Sequence, residues 1–189
     1  MSSDREAMKP DTEVVHLGRD PAKHLGAVNT PVYRASTMVF PTLADLEASA
    51  AGTYEGIGYG LHGLPTVTDL QAALAALEGG TRGFAVPSGL TATTLPLLAL
   101  AKAGDRVLIT DSVYGPTRRF AINTLVRYGV EVAFYDPLAG EAIEEAMTPN
   151  TRVVFVESPG SLSFDVQDVP AIAAVAHRHG AVVVMDNSW

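Results

Sequence analysis

The sequence predicts an α/β domain whose mainly parallel sheet is flanked by helices, and three observations carry that reading. From Arg82 onward, short β-rich runs (Gly83 to Val86, Val107 to Thr110, Val130 to Tyr135, Val153 to Val156 and Val182 to Met185) alternate with helical ones, the order expected of strand–helix–strand units. The helical runs, Gly89 to Ala101, Thr117 to Tyr128, Gly140 to Met147 and Asp168 to His179, mostly end at or near glycine, the residue that most readily closes a helix. The 189 residues, 47% hydrophobic and 18% charged, suffice for one packed core and exclude disordered, collagen-like and low-complexity chains.

Ahead of the alternating region, residues 1 to about 40 carry Pro10, Pro21, Pro31 and Pro41 without sustained periodicity, which predicts an extended arm with little regular structure. Thr42 supplies a cap, and Leu43 and Leu46 stand three apart, so a short helix should end at Gly52. A Gly-rich aromatic loop, GTYEGIGYGLHGLP, follows. Next, Val67, Leu70, Leu74 and Leu77 fall on one face of a helix opened near Pro65 and closed by Gly79. The expected division is an arm with a short helix over 1–55 and a large domain over 56–189. Because VVVMDNSW stops soon after a strand, where an open α/β sheet normally continues, the large domain is expected to be truncated.

Charge and composition narrow the function classes. Thirteen Lys and Arg against twenty-one Asp and Glu give a net charge of −8, the wrong sign for tracking nucleic-acid phosphates or an anionic membrane surface. Without cysteine there is no disulfide framework, no Cys-ligated zinc and no thiol nucleophile. The polar start, MSSDREAMKPDT, does not read as a signal peptide, and no apolar run is long enough to cross a bilayer. A cytoplasmic location is the expectation. His177 and His179 are two apart on a helix end and point to different sides, so no metal site is assigned.

Ligands in open α/β sheets sit at the carboxyl ends of the strands. There the sequence places Ser88-Gly89, Asp111 to Tyr114, Glu157 to Ser161, and Asp186 to Ser188. Ser88, Gly89 and Leu90 open a helix, whose free amides and dipole suit a phosphate; the same turn also reads as an ordinary serine cap. Asp186 follows four apolar residues, and its carboxylate suits a cationic ring nitrogen. Tyr114 can lay its ring on a flat ligand or simply pack. Gly56 to Gly60 superficially matches a dinucleotide fingerprint, but no strand precedes it and no helix opens within it.

Phosphate at a helix start, a ring on tyrosine and a nitrogen on aspartate together describe a pocket for pyridoxal 5'-phosphate (PLP). The segments VNTPVYRASTMVF, LQAALAALEGG, VPSGLTA, RVLITDSVYGPT, FYDPL, VVFVESPGS, DVPAIAAVA and VVVMDNSW resemble the cystathionine β-lyase branch of the Cys/Met-metabolism PLP-dependent enzymes, a fold-type I family. The resemblance implies a PLP-dependent transferase-like fold, represented by its arm and the first part of its large domain. It also implies PLP as cofactor, with Ser88, Gly89 and Leu90 at the phosphate, Tyr114 on the pyridine ring and Asp186 at its nitrogen. Tyr59 would reach the cofactor phosphate or the substrate of a neighbouring subunit in a homotetramer built as a dimer of dimers. The ESPGS stretch, Glu157 to Ser161, resembles the β-lyase form in particular.

The implied activity is β-elimination of the thioether L-cystathionine to homocysteine, pyruvate and ammonia. Related γ-synthases, γ-lyases and O-acetylhomoserine sulfhydrylases share nearly all these residues, and a non-catalytic fragment or a PLP-independent binding module are the alternatives outside that chemistry. Two departures stand out. The family's Tyr-Gly-Arg reads Tyr59-Gly60-Leu61 here, with His62 beside it. The lysines are Lys9, Lys23 and Lys102, and none matches the family's Schiff-base lysine, so no catalytic residue is assigned in this chain.

Overall fold

The computed structural model describes residues 9–189, so the polar start of the arm lies outside the described residues. These residues fall into two compact units, one ending at Ala85 and the other running from Val86 to Trp189.

In the first unit, α1 (Pro10–His16), α2 (Leu43–Ala50) and α3 (Pro65–Leu77) are joined by loops with short 3-10 turns at Pro21–His24 and Gly60–His62. The arm is therefore more regular than expected. Pro10 stands in the first turn of α1, Asp11 and Glu13 lie at its positive end and His16 at its negative end, and each favours a helix locally. The arm is tied to α3 by polar contacts: Thr30 Oγ1 donates to Asp69 Oδ2 at 2.6 Å, and the Tyr33 N–H donates to Thr66 Oγ1 at 2.8 Å. Thr42 and Asp45 form a reciprocal capping box on α2. The apolar stripe expected on α3 forms, but none of its residues is buried.

The second unit holds a four-stranded, wholly parallel sheet of β1 (Arg106–Thr110), β2 (Glu131–Tyr135), β3 (Thr151–Glu157) and β4 (Val182–Asp186), in the order β2-β1-β3-β4. Strand alternation divides its core in two. Val107, Ile109, Val153 and Phe155 pack with Leu97 of α4 (Gly89–Leu100) and Ala121 and Leu125 of the helical segment that begins as α5 (Gly115–Phe120). Leu108, Val154 and Val156 pack with Ile143 of a 3-10 segment and Ile172 and Val175 of α6 (Val169–Arg178).

One expected strand does not form. Gly83 to Val86 is irregular, and Phe84 is 77% exposed. A strand exists only through a hydrogen-bonded neighbour, and no described strand pairs with this run. The expected helix Thr117 to Tyr128 also changes character, passing from α5 through a π turn at Ala121–Leu125 and a 3-10 turn at Val126–Tyr128. It closes on Gly129, whose φ of +79° suits a residue without Cβ.

Candidate functional site

At the carboxyl ends of β1, β3 and β4 the second unit opens onto a cavity of about 460 Å³. Gly89, Leu90, Tyr114, Glu157, Asp186 and Trp189 line it, with Thr93, Pro116, Pro159, Ser161 and Ser188 between them. Four of the sequence-predicted residues, Gly89, Leu90, Tyr114 and Asp186, thus meet at one site.

Ser88 is extended and caps α4, its Oγ accepting the Thr91 N–H at 3.1 Å. The amides of Gly89 and Leu90 lie in the first turn, where intrahelical partners are absent. A Cβ placed on Gly89 would meet nothing within 4 Å, so the space before these amides is open. Ser88 shapes this end from just outside the lining.

The loop after β1 carries Tyr114, a residue 47% exposed, whose main-chain N–H donates to Glu157 Oε2 at 2.8 Å. Glu157 ends β3, and Asp186 stands opposite it in the β3–β4 register. Burial raises the Glu157 pKa above the ordinary glutamate value; the Tyr114 N–H counters this, and the Asp186 charge adds to it. Asp186 accepts the Ser188 N–H at 3.1 Å and its hydroxyl at 2.7 Å.

A buried amide network fixes this rim. Gln167 donates from Nε2 to Thr110 Oγ1 (3.0 Å) and to the Glu157 carbonyl (2.7 Å), accepts the Tyr135 hydroxyl at Oε1 (2.9 Å), and donates its N–H to Ser158 Oγ (3.0 Å). The 158–161 turn also lies tightly on the β1–α5 loop. A Cβ on Gly160 would come within 2.4 Å of Ser112 Oγ, and the Ser161 N–H donates to the Ser112 carbonyl at 2.9 Å.

Taken as a donor set, the cavity offers free amides at a helix start, a flat aromatic face and two carboxylates. That set fits a planar heterocycle with an anionic substituent and a basic ring nitrogen. Among the described residues, no Lys, Arg or His lines the cavity. Lys102 lines a different hollow with Asp105, Arg152 and His179, at the opposite, amino-terminal ends of β1 and β3. His179 pairs with Glu144 instead of facing a ligand.

Tyr59 belongs to the first unit, where its ring meets His62 edge to face at 5.6 Å and Leu61 is 82% exposed. Thr93 and Trp189 are lining residues that sequence reasoning did not assign. Thr93 was within reach of it, since it lies one helical turn after Gly89.

Comparison with known proteins points the same way. The family model described as Cys/Met metabolism PLP-dependent enzyme matches residues 11–189. The chain is 48% identical over 179 residues to the "Putative cystathionine beta-lyase" of Rhizobium johnstonii, covering 95% of this chain and 44% of that protein. It is 39% identical over 178 residues to the L-methionine gamma-lyase of Pseudomonas putida, covering 94% and 45%. Among solved structures it superimposes with a TM-score of 0.86 and 27% identity on metY of Campylobacter jejuni, which contains N'-pyridoxyl-lysine-5'-monophosphate, over 95% of this chain and 44% of that one. The chain thus spans under half the length of these relatives. On the match over residues 11–189, the chain belongs to the Cys/Met metabolism PLP-dependent enzyme family.

Proposed function

We propose that this chain supplies the cofactor-binding face of a PLP-dependent carbon–sulfur lyase that cleaves L-cystathionine by β-elimination, giving homocysteine, pyruvate and ammonia. The observation that carries the cofactor assignment is the convergence of the α4 amino terminus, Tyr114 and Asp186 on one cavity. The 48% identity to a protein named as a cystathionine β-lyase, together with the ESPGS turn, supports the β-lyase reaction over its γ-cleaving relatives.

Each residue has a defined task in this reading. The Gly89 and Leu90 amides bind the phosphate, and Ser88 holds them in place by capping the turn. The Tyr114 ring covers one face of the pyridine. Asp186, oriented by Ser188, holds a proton at the ring nitrogen. When bound, PLP supplies an electron sink that labilises a bond at the substrate Cα. With no lysine in the lining, the 189-residue chain binds the cofactor without a covalent link and does not turn over thioether. In the intact protein Tyr59 serves a neighbouring subunit of a cytoplasmic homotetramer. The half-exposed Val67, Leu70, Leu74 and Leu77 stripe on α3 supports burial between subunits, and sedimentation of the native protein at a tetramer's mass is the check.

Trp189 is the single tryptophan and lines the cavity, so its fluorescence reports occupancy. Titration with pyridoxamine 5'-phosphate, which needs no lysine, should quench it, and Asp186→Asn should weaken binding about tenfold or more. An unresponsive Trp189 at millimolar ligand overturns the cofactor assignment. Pyruvate and homocysteine from cystathionine, assayed with the protein isolated from its own source, support the reaction; 2-oxobutyrate and cysteine overturn β-cleavage.

A further inference from the structure

Beside Asp186 the cavity holds a second carboxylate, Glu157, to which the reading above gives no task. Glu157 is 7% exposed. A buried carboxylate is unfavourable unless charge or hydrogen bonds compensate it; the Tyr114 N–H donates to Glu157 at 2.8 Å, and the Ser161 N–H gives a smaller support to its charged form. Its cross-strand neighbour, Asp186, carries the same charge. The ionisable groups that face it are Asp186 from β4 and the Tyr114 phenol from the β1–α5 loop, with the Tyr135 phenol behind Gln167. None of these is a cation.

Glu157 also cannot withdraw easily, because Gln167 holds its carbonyl at 2.7 Å and anchors to Ser158 next to it. Two neighbouring carboxylates held in a lining without cations repel each other until a positive charge arrives. The amides that receive an anion are at the start of α4, so the charge is divided along the cavity: positive dipole at one end, two carboxylates at the strand ends.

Resting on the cofactor reading above, we propose that Glu157 is a positioning residue that fixes the Tyr114 main chain and, as the second anion beside Asp186, makes the cavity select a ligand whose ring nitrogen is protonated. Asp186 holds the proton, and Glu157 deepens the potential in which it is held. The ligand class is a phosphorylated, basic nitrogen heterocycle. A neutral aromatic phosphate of the same shape binds less well.

The test uses the 189-residue chain and its Glu157→Gln, Glu157→Asp and Asp186→Asn variants, with Trp189 fluorescence as readout. Glutamine keeps an oxygen to accept the Tyr114 N–H and removes only the charge. Glu157→Gln is expected to weaken pyridoxamine 5'-phosphate about tenfold, to release the bound ring's proton at lower pH, seen in the ligand's absorbance, and to leave inorganic phosphate, measured by competition, unchanged. Glu157→Asp, which keeps the charge, should restore the higher-pH proton release. Three results overturn the proposal. If Glu157→Gln binds as the parent does while Asp186→Asn weakens binding, the Glu157 inference fails and the cofactor reading stands. If Glu157→Gln weakens phosphate and pyridoxamine phosphate equally, its role is only structural. If the parent chain ignores pyridoxamine phosphate, the cofactor reading fails and this inference falls with it.

Discussion

Gln167→Leu is the substitution that most directly tests how the cavity rim is held. Gln167 is 6% exposed, and its side-chain amide makes three bonds at once: to Thr110 Oγ1, to the Glu157 carbonyl and from the Tyr135 hydroxyl. Leucine has similar bulk and no polar atom, so all three buried partners lose a bond. Each buried polar group left without a partner costs about 1–3 kcal/mol. Two partners keep an alternative: the Tyr135 hydroxyl lies 3.3 Å from the Phe155 carbonyl, and Thr110 Oγ1 lies 3.0 Å from Ser112 Oγ. The expected loss is therefore about 3 kcal/mol, well below three full penalties. For a chain of this size each kcal/mol lowers Tm by about 2–4 °C, so the melt should fall by about 6–12 °C. Far-UV circular dichroism follows the transition, and Trp189 fluorescence checks that a second probe coincides with it. Tyr135→Phe should cost less, and the double variant should fall short of the sum because the two residues share one bond. A Tm within about 2 °C of the parent, a loss under 1 kcal/mol, refutes the reasoning.

The remaining predictions concern the α4 cap and the buried carboxylate. Ser88→Ala removes the acceptor for the Thr91 N–H and should cost about 1 kcal/mol, read as a lower urea midpoint; an unchanged midpoint contradicts the cap. For Glu157 the sign follows from a folded pKa raised by burial. The native state binds the proton more readily than the unfolded chain, so this group favours folding at acid pH and the benefit is lost as pH rises through the raised value. Glu157→Gln removes that slope, and the variant should gain on the parent as pH rises from acid to neutral, measured by urea unfolding at several pH values. Exposed Glu144, held low by His179 and then Arg178, has the opposite slope and cancels in the comparison. A difference between parent and variant that does not move with pH would contradict the buried-carboxylate account.

Much of the second unit was legible because its signals are local. The four observed strands lie within two residues of the predicted runs, since apolar β-branched runs and glycine stops act over a few residues. Ser88, Thr42 and Asp168 cap the helices that follow them, each accepting an N–H three residues on, because a cap needs nothing beyond its own turn. The resemblance to the PLP family rested on the same kind of short-range matching. The failure at Gly83 to Val86 has the complementary cause: its composition suits a strand, but composition does not supply the neighbour that a strand requires.

What the sequence by itself determined was the order of elements, the capped turn at Ser88 and the delivery of Tyr114 and Asp186 to strand ends. Tertiary structure decided which ends became neighbours. Only the order β2-β1-β3-β4 sets Glu157 against Asp186, twenty-nine positions apart in the chain, and brings Thr110, Tyr135 and Glu157 to one glutamine at 167. Strand order in a parallel sheet depends on how the crossover helices pack over both faces. That is a sum of many weak apolar contacts spread along the chain, with no short motif to record it.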